Sequence, residues 1–246
     1  MTQWPAGVDR IVLDTVDSTM SEAARIAAFV TSPTWIMAQT QTAARGRRGR
    51  KWIAPAGNLN ATLVFKPTAT PLQAAQRSFL AANALFHALS IYVPSSDLGL
   101  KWPNDVLLKG GKVAGILLES AGHGACVDYV SIGIGVNLQT VPDSVEDAAF
   151  APTSLKAAGG WDVGATDFLT TLASAYVAQE TLLATHGFGR VRAGWLKQAA
   201  RLGTVITART GTADITGTFD TIDADGNLVL ITGAGAQTIP AADVYF

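Results

Sequence analysis

Residues 44–52 read Ala-Arg-Gly-Arg-Arg-Gly-Arg-Lys-Trp, with five cations between Arg45 and Lys51 in a chain whose net charge is only -1. Like charges repel, so a cluster this dense calls for an anion. Its glycines give the backbone freedom and let N–H groups approach a ligand closely. Arginine adds a planar fork that fits phosphate in a bidentate manner. Two readings follow: a mobile loop that closes over a phosphate ester, or an ordinary solvated basic turn.

Two further segments could carry chemistry. In Lys101-Trp102-Pro103-Asn104-Asp105 the proline cannot continue a central ladder, so Asn104 and Asp105 fall at a strand end. A carboxylate beside an amide there could ligate a hydrated Mg²⁺ on a nucleotide, or accept a proton. An Asn-Asp turn would look the same. In Lys112-Val113-Ala114-Gly115-Ile116-Leu117 a lysine enters an apolar strand and a glycine interrupts it. That pattern suits a point charge facing a carboxylate and a close ligand approach. It also suits a solvated strand start followed by a bulge. Gly133-Ile134-Gly135-Val136-Asn137 lacks the third glycine of a dinucleotide fingerprint and reads as sheet packed against the site. His87, His123 and His186 have no metal-ligand spacing, and one cysteine makes a structural zinc site untenable. Neither a nucleophile elbow nor a P-loop is present. Phosphate chemistry without these parts points to adenylation by positioning and electrostatics.

The elements that must position these groups are readable from periodicity and turn residues. Strands are expected at 10–14, 35–39 and 60–65, then at 99–102, 106–108, 113–119 and 126–136. Helices are expected from Ser18-Thr19 to about residue 30, with Thr19 and Glu22 spaced as a capping box, and at 72–92 behind Thr70-Pro71. Helices return at 168–185 and 188–200. From 204 onward, short strands of alternating β-branched and polar residues suggest a small barrel, too small to be stable alone. A boundary near Leu202 divides a domain of residues 1–201 from one of 202–246.

Composition narrows the class. A chain of 246 residues, 48% hydrophobic, can bury a sizeable core. A pI near 6.3 argues against a general nucleic-acid binder. The single Cys126 suits a reducing cytosol, and neither a secretory signal nor a membrane-spanning run is seen, so a cytoplasmic protein is expected.

The basic loop, Lys-Trp-Pro-Asn-Asp, Lys-Val-Ala-Gly-Ile-Leu-Leu-Glu and Gly-Ile-Gly-Val-Asn-Leu, in this order and spacing, together resemble biotin–protein ligase. The C-terminal all-β segment is similar as well. The resemblance implies an α/β fold like the class II aminoacyl-tRNA synthetase catalytic domain, a mixed sheet flanked by helices, followed by an SH3-like barrel. It implies synthesis of biotinyl-5′-AMP from biotin and ATP, then transfer of biotin to one lysine of a biotin carboxyl carrier protein domain. Biotin contacts would be Ser18, Thr19, Met20, Gln41, Arg45, Gly46, Arg47, Lys112 and Gly115. ATP contacts would be Arg48, Arg50, Trp52, Asn104 and Asp105, with Asp105 near the nucleotide's Mg²⁺. Arg47, Lys112 and Asp105 would act in catalysis. Met20 stands where the family usually has asparagine and Ala44 where it has glycine, which removes one polar contact and stiffens the loop.

The residues agree with that implication. Biotin's cyclic urea needs donors and acceptors when buried, and Ser18, Thr19 and Gln41 supply both. A lipoate or octanoate ligase of related fold is the nearest rival, but an apolar head would not use such groups. An RNA-binding module using the Arg-Gly loop is a remote alternative. Only nine residues precede the first strand, too few for a helix-turn-helix, so no DNA and no membrane partner is expected. A monomer and a homodimer both remain open.

Overall fold

The computed structural model describes residues 3–53, 55–142 and 150–246. A seven-stranded mixed sheet forms the body, in the order β1-β2-β3-β7-β6-β5-β4. Its strands are β1 (Asp9–Val16), β2 (Thr34–Gln41), β3 (Leu59–Phe65), β4 (Leu98–Lys101), β5 (Asp105–Leu108), β6 (Gly111–Ala121) and β7 (Tyr129–Val136). Only β1 and β2 run parallel, with helix α1 (Thr19–Ile26) between them in the chain; every other neighbouring pair is antiparallel. Lys109 and Gly110, both at positive φ, form the two-residue turn between β5 and β6, as a tight hairpin requires.

Helix α1 starts differently from the expected capping box. Ser18 is the N-cap and accepts from the Met20 N–H, while the Thr19 hydroxyl turns into a buried network. Glu22 pairs with Arg25 instead of reaching back to the cap. The long helix expected at 72–92 is two helices, α2 (Pro71–Ala75) and α3 (Arg77–Leu89). Thr70 and Gln73 make a capping box around Pro71. The break at Gln76 lets its side chain donate to the Ala224 carbonyl of the C-terminal segment.

Ten of the thirteen residues of α3 are buried, so it lies inside the molecule rather than on its surface. It packs between the sheet, α4 (Ala165–His186) and α5 (Phe188–Lys197). On the other sheet face Ala23 of α1 and its C-cap Ala27 meet Ile36 and Val64. Alternation along β3 thus sends Leu59, Ala61 and Leu63 to the main core, and Asn60, Thr62 and Val64 to the α1 side.

The C-terminal residues form a second, antiparallel sheet of β8 (Val205–Arg209), β9 (Asp214–Ile222), β10 (Leu228–Thr232), β11 (Gly235–Ile239) and β12 (Asp243–Tyr245). Its order is β11-β10-β9-β8-β12, and its two edges share no ladder, so the barrel is open along that seam. Strand β12 was not among the expected strands. This sheet does not make a separate core. Phe219 lies 6.5 Å from Trp195 of α5, which lies 5.5 Å from Phe79 of α3. The Trp102 indole donates to Gly226 from the other side. Among the described residues, no helix is long and apolar enough to cross a membrane.

Candidate functional site

A cavity of about 570 Å³ opens on the α1 side of the main sheet, between the basic loop and the C-terminal sheet. That size suits a small-molecule site. Its floor is set by strand register. Asn60 lies opposite Gly135, Gly135 opposite Gly115, and Gly115 opposite Asp105, giving one row across four strands. In the next row, Thr62 lies opposite Gly133 and Gly133 opposite Leu117.

The glycines are needed because side chains lie directly on them. A Cβ on Gly135 would sit 2.4 Å from the Trp52 indole, and one on Gly133 would sit 2.8 Å from Met20 Sδ. Gly115 meets Trp52 at 3.2 Å, while the ladder irregularity in this hairpin falls at Val106/Leu107. Gly115 is therefore part of the floor and not a bulge.

At one end stands a hydroxyl and amide network. Gln41, at the end of β2, accepts from the Thr19 N–H at 2.8 Å and from the Thr19 hydroxyl at 3.2 Å. Thr62 donates to Thr19 Oγ1 at 2.8 Å. Ser18 is buried behind this network as the helix cap and does not border the cavity, whereas the buried Met20 does.

At the other end Asp105 is buried between two lysines. Lys112 Nζ lies 2.7 Å from its carboxylate and Lys101 Nζ 3.4 Å away. Burial pushes the Asp105 carboxyl up, but Lys112 and Lys101 outweigh it and hold it below the ordinary carboxylate value. Burial also pushes the Lys101 ammonium down, with Asp105 opposing that shift. Lys112 is fixed by backbone hydrogen bonds to Ala151 and Thr153, and its ammonium lies 5.6 Å from the Trp52 ring centroid. It is not a solvated strand start.

Sequence reading placed Asp105 near a nucleotide's Mg²⁺; in this structure its carboxylate is taken up by lysines. Its two oxygens face ammonium groups, and no cluster of three or more His, Cys, Asp or Glu that could hold a metal occurs among the described residues. The site does not fit a Mg²⁺ held directly by Asp105. Asn104 ties the strand end to its surroundings, its amide donating to Ile116 at 2.7 Å and its Oδ1 accepting from Arg47 at 3.3 Å.

The basic loop folds back on itself. Gly46 N–H donates to Arg50 and Trp52 N–H to Ala44, with Arg48 and Gly49 at positive φ across the tip. Arg45 leaves the tip, gripping Glu119 at 2.9 Å and Ser21 at 2.9 Å. Arg47 is pushed below its usual basicity by burial, with Asp243 the main opposing charge.

Asp243 of β12 is a residue that sequence reasoning missed. Its carboxylate lies 2.9 Å from Arg48, 2.6 Å from Arg50 and 3.9 Å from Arg47. One anion from the C-terminal sheet thus collects three loop cations. Asp243→Ala should free the loop, and trypsin should then cut after Arg47, Arg48 or Arg50 several-fold faster, read by mass spectrometry of early fragments. Equal cleavage of both proteins would show that Asp243 does not hold the loop.

With three arginines, two lysines flanking a buried carboxylate and a polar network around one cavity, the site can hold a polar head, a carboxylate and a phosphate chain together. A profile of the biotin/lipoate A/B protein ligase family matches residues 12–137, and one of the biotin protein ligase C-terminal domain matches 202–246. The chain belongs to the biotin/lipoate A/B protein ligase family. Among its relatives, a biotin–[acetyl-CoA-carboxylase] ligase of Paracoccus denitrificans is 50% identical, over 96% of this chain and 99% of that one. A bifunctional ligase/repressor BirA of Bacillus spizizenii is 31% identical, over 97% of this chain and 74% of its own length. The biotin protein ligase of Aquifex aeolicus, solved in complex with biotin and ATP, superposes with a TM-score of 0.78 at 26% identity, covering 96% of this chain and 97% of that one.

Proposed function

We propose that this chain is an ATP-dependent biotin–protein ligase that activates biotin as biotinyl-5′-AMP and passes it to a carrier-domain lysine of a biotin-dependent carboxylase. The observation that carries this reading is the single cavity that joins the Thr19–Gln41–Thr62 network, Lys112 and the arginine loop. The network can pair the cyclic urea, and Lys112 can share its ammonium between Asp105 and the biotin carboxylate. Arg47, Arg48 and Arg50 can leave Asp243 for the phosphates. Trp52 and the glycine row would border the acyl-adenylate. Residues 1–201 would bind both substrates, with residues 202–246 closing the nucleotide side through Asp243.

In the first step a biotin carboxylate oxygen attacks the α-phosphorus, the bond to the bridging oxygen breaks, and pyrophosphate leaves. In the second the carrier lysine's amine attacks the acyl carbon, AMP leaves, and the amine loses a proton. No covalent enzyme intermediate is needed. Once on the phosphates, the arginines spread the negative charge that grows at phosphorus. Mg²⁺ belongs to this scheme as part of the ATP substrate. Both ATP supply and the exposed free thiol of Cys126 suit the cytoplasm.

Biotin should drive exchange of labelled pyrophosphate into ATP in the presence of Mg²⁺, and lipoate should drive little or none. Strong lipoate-driven exchange with no response to biotin would replace this substrate assignment.

A further inference from the structure

The floor of the cavity holds a polar group that the protein leaves unpaired. Asn60 is 1% exposed, and neither its Nδ2 nor its Oδ1 has a hydrogen-bond partner. It lies on β3 two residues from Thr62, and so on the same sheet face, the one that carries the Thr19–Gln41 network. Its register neighbour is Gly135, over which the Trp52 indole lies. Trp52 Nε1 is also buried without a partner. Burying a carboxamide unpaired is unfavourable, and most buried polar groups find partners. A strand position inside a well-packed sheet could equally hold an apolar side chain. The group next to it on the α1 side, Met20, offers no hydrogen bond and fills the space above Gly133.

We propose that Asn60 is a specificity residue that reads the cyclic urea of the substrate; this rests on the biotin assignment above. A carboxamide presents an N–H donor beside a C=O acceptor, and a cyclic urea presents the complementary N–H and C=O along one edge. The two edges can exchange a pair of hydrogen bonds. The Thr19–Gln41 network, one side-chain repeat along the sheet, remains to hold the other edge. A thioether ring or an alkyl chain offers no such pair, so Asn60 discriminates against acids that lack the urea. Leaving both carboxamide atoms unpaired against such a ligand is the source of that discrimination.

The test uses the full-length chain with Asn60→Leu, and Asn60→Ala in case leucine overfills the floor. Affinities for biotin, dethiobiotin and ATP are measured by calorimetry, and melting is followed without ligand. Dethiobiotin keeps the urea but lacks the thioether. Both variants should bind biotin and dethiobiotin about 10- to 30-fold more weakly, by the same factor, as expected for two neutral hydrogen bonds. ATP affinity should stay within about two-fold, and ligand-free Asn60→Leu should melt no lower than the parent, because an unpaired buried amide has been removed. Unchanged biotin affinity in folded variants would overturn the assignment. So would a loss confined to biotin, which would place Asn60 at the thioether, or a loss confined to ATP. A parent protein that does not bind biotin would instead overturn the substrate reading itself.

Discussion

Asp105→Asn should lower the melting temperature by about 6–20 °C. The carboxylate sits between Lys112 and the buried Lys101, so neutralising it leaves two ammonium groups facing each other without a counter-charge. Breaking a buried pair on one side costs about 3–5 kcal/mol, and each kcal/mol moves a domain of this size by about 2–4 °C. Asp105→Asn combined with Lys101→Met should recover part of the loss. The pH dependence has a definite sign. The folded carboxyl titrates below its ordinary value, so its contribution is fully present above about pH 4 and disappears as the pH falls through the depressed folded value. The gap between parent and variant should therefore narrow in acid. Urea unfolding at a series of pH values measures this, and a variant that melts within about 2 °C of the parent would rule out the pair as a stabilising element.

Lys112→Ala should weaken biotin binding by roughly 10- to 150-fold, the range for loss of a charge-assisted hydrogen bond worth about 1.5–3 kcal/mol. Read from sequence, Lys112 is a free point charge for a carboxylate. In the folded protein it also partners Asp105 at 2.7 Å, so the variant should be less stable as well as a weaker binder. Affinity must then be measured well below the variant's melting temperature. Under that condition, biotin affinity within two-fold of the parent would assign Lys112 to holding Asp105 alone. ATP affinity in the absence of biotin should change much less than biotin affinity.

What could be read from the sequence follows the range of the interactions. The glycine-marked strands and the Thr70-Pro71 helix start depend on neighbours in the chain, and so were legible. The break at Gln76 was not, because the Ala224 carbonyl that its side chain meets there lies 148 residues away in the chain. Thr19 and Glu22 had capping-box spacing, yet the Thr19 hydroxyl is taken by Gln41 and Thr62, which only folding brings near. Of the site, the loop, Asn104-Asp105 and Lys112 stood out by charge and spacing, and they border one cavity. Asn60 and Asp243 stood out in no such way. The first looks like any strand residue, and the second lies 195 residues from Arg48 along the chain.

The carboxylate of Asp243 also changes what nucleotide binding means for the surrounding salt. A triphosphate meeting three free arginines would release its associated cations, and affinity would fall steeply as salt rises. On the proposed reading ATP would compete with this internal carboxylate, which covers one of the three positive charges. That exchange would take about one counter-ion out of the balance. ATP affinity in this protein should accordingly be less sensitive to ionic strength than its arginine count suggests.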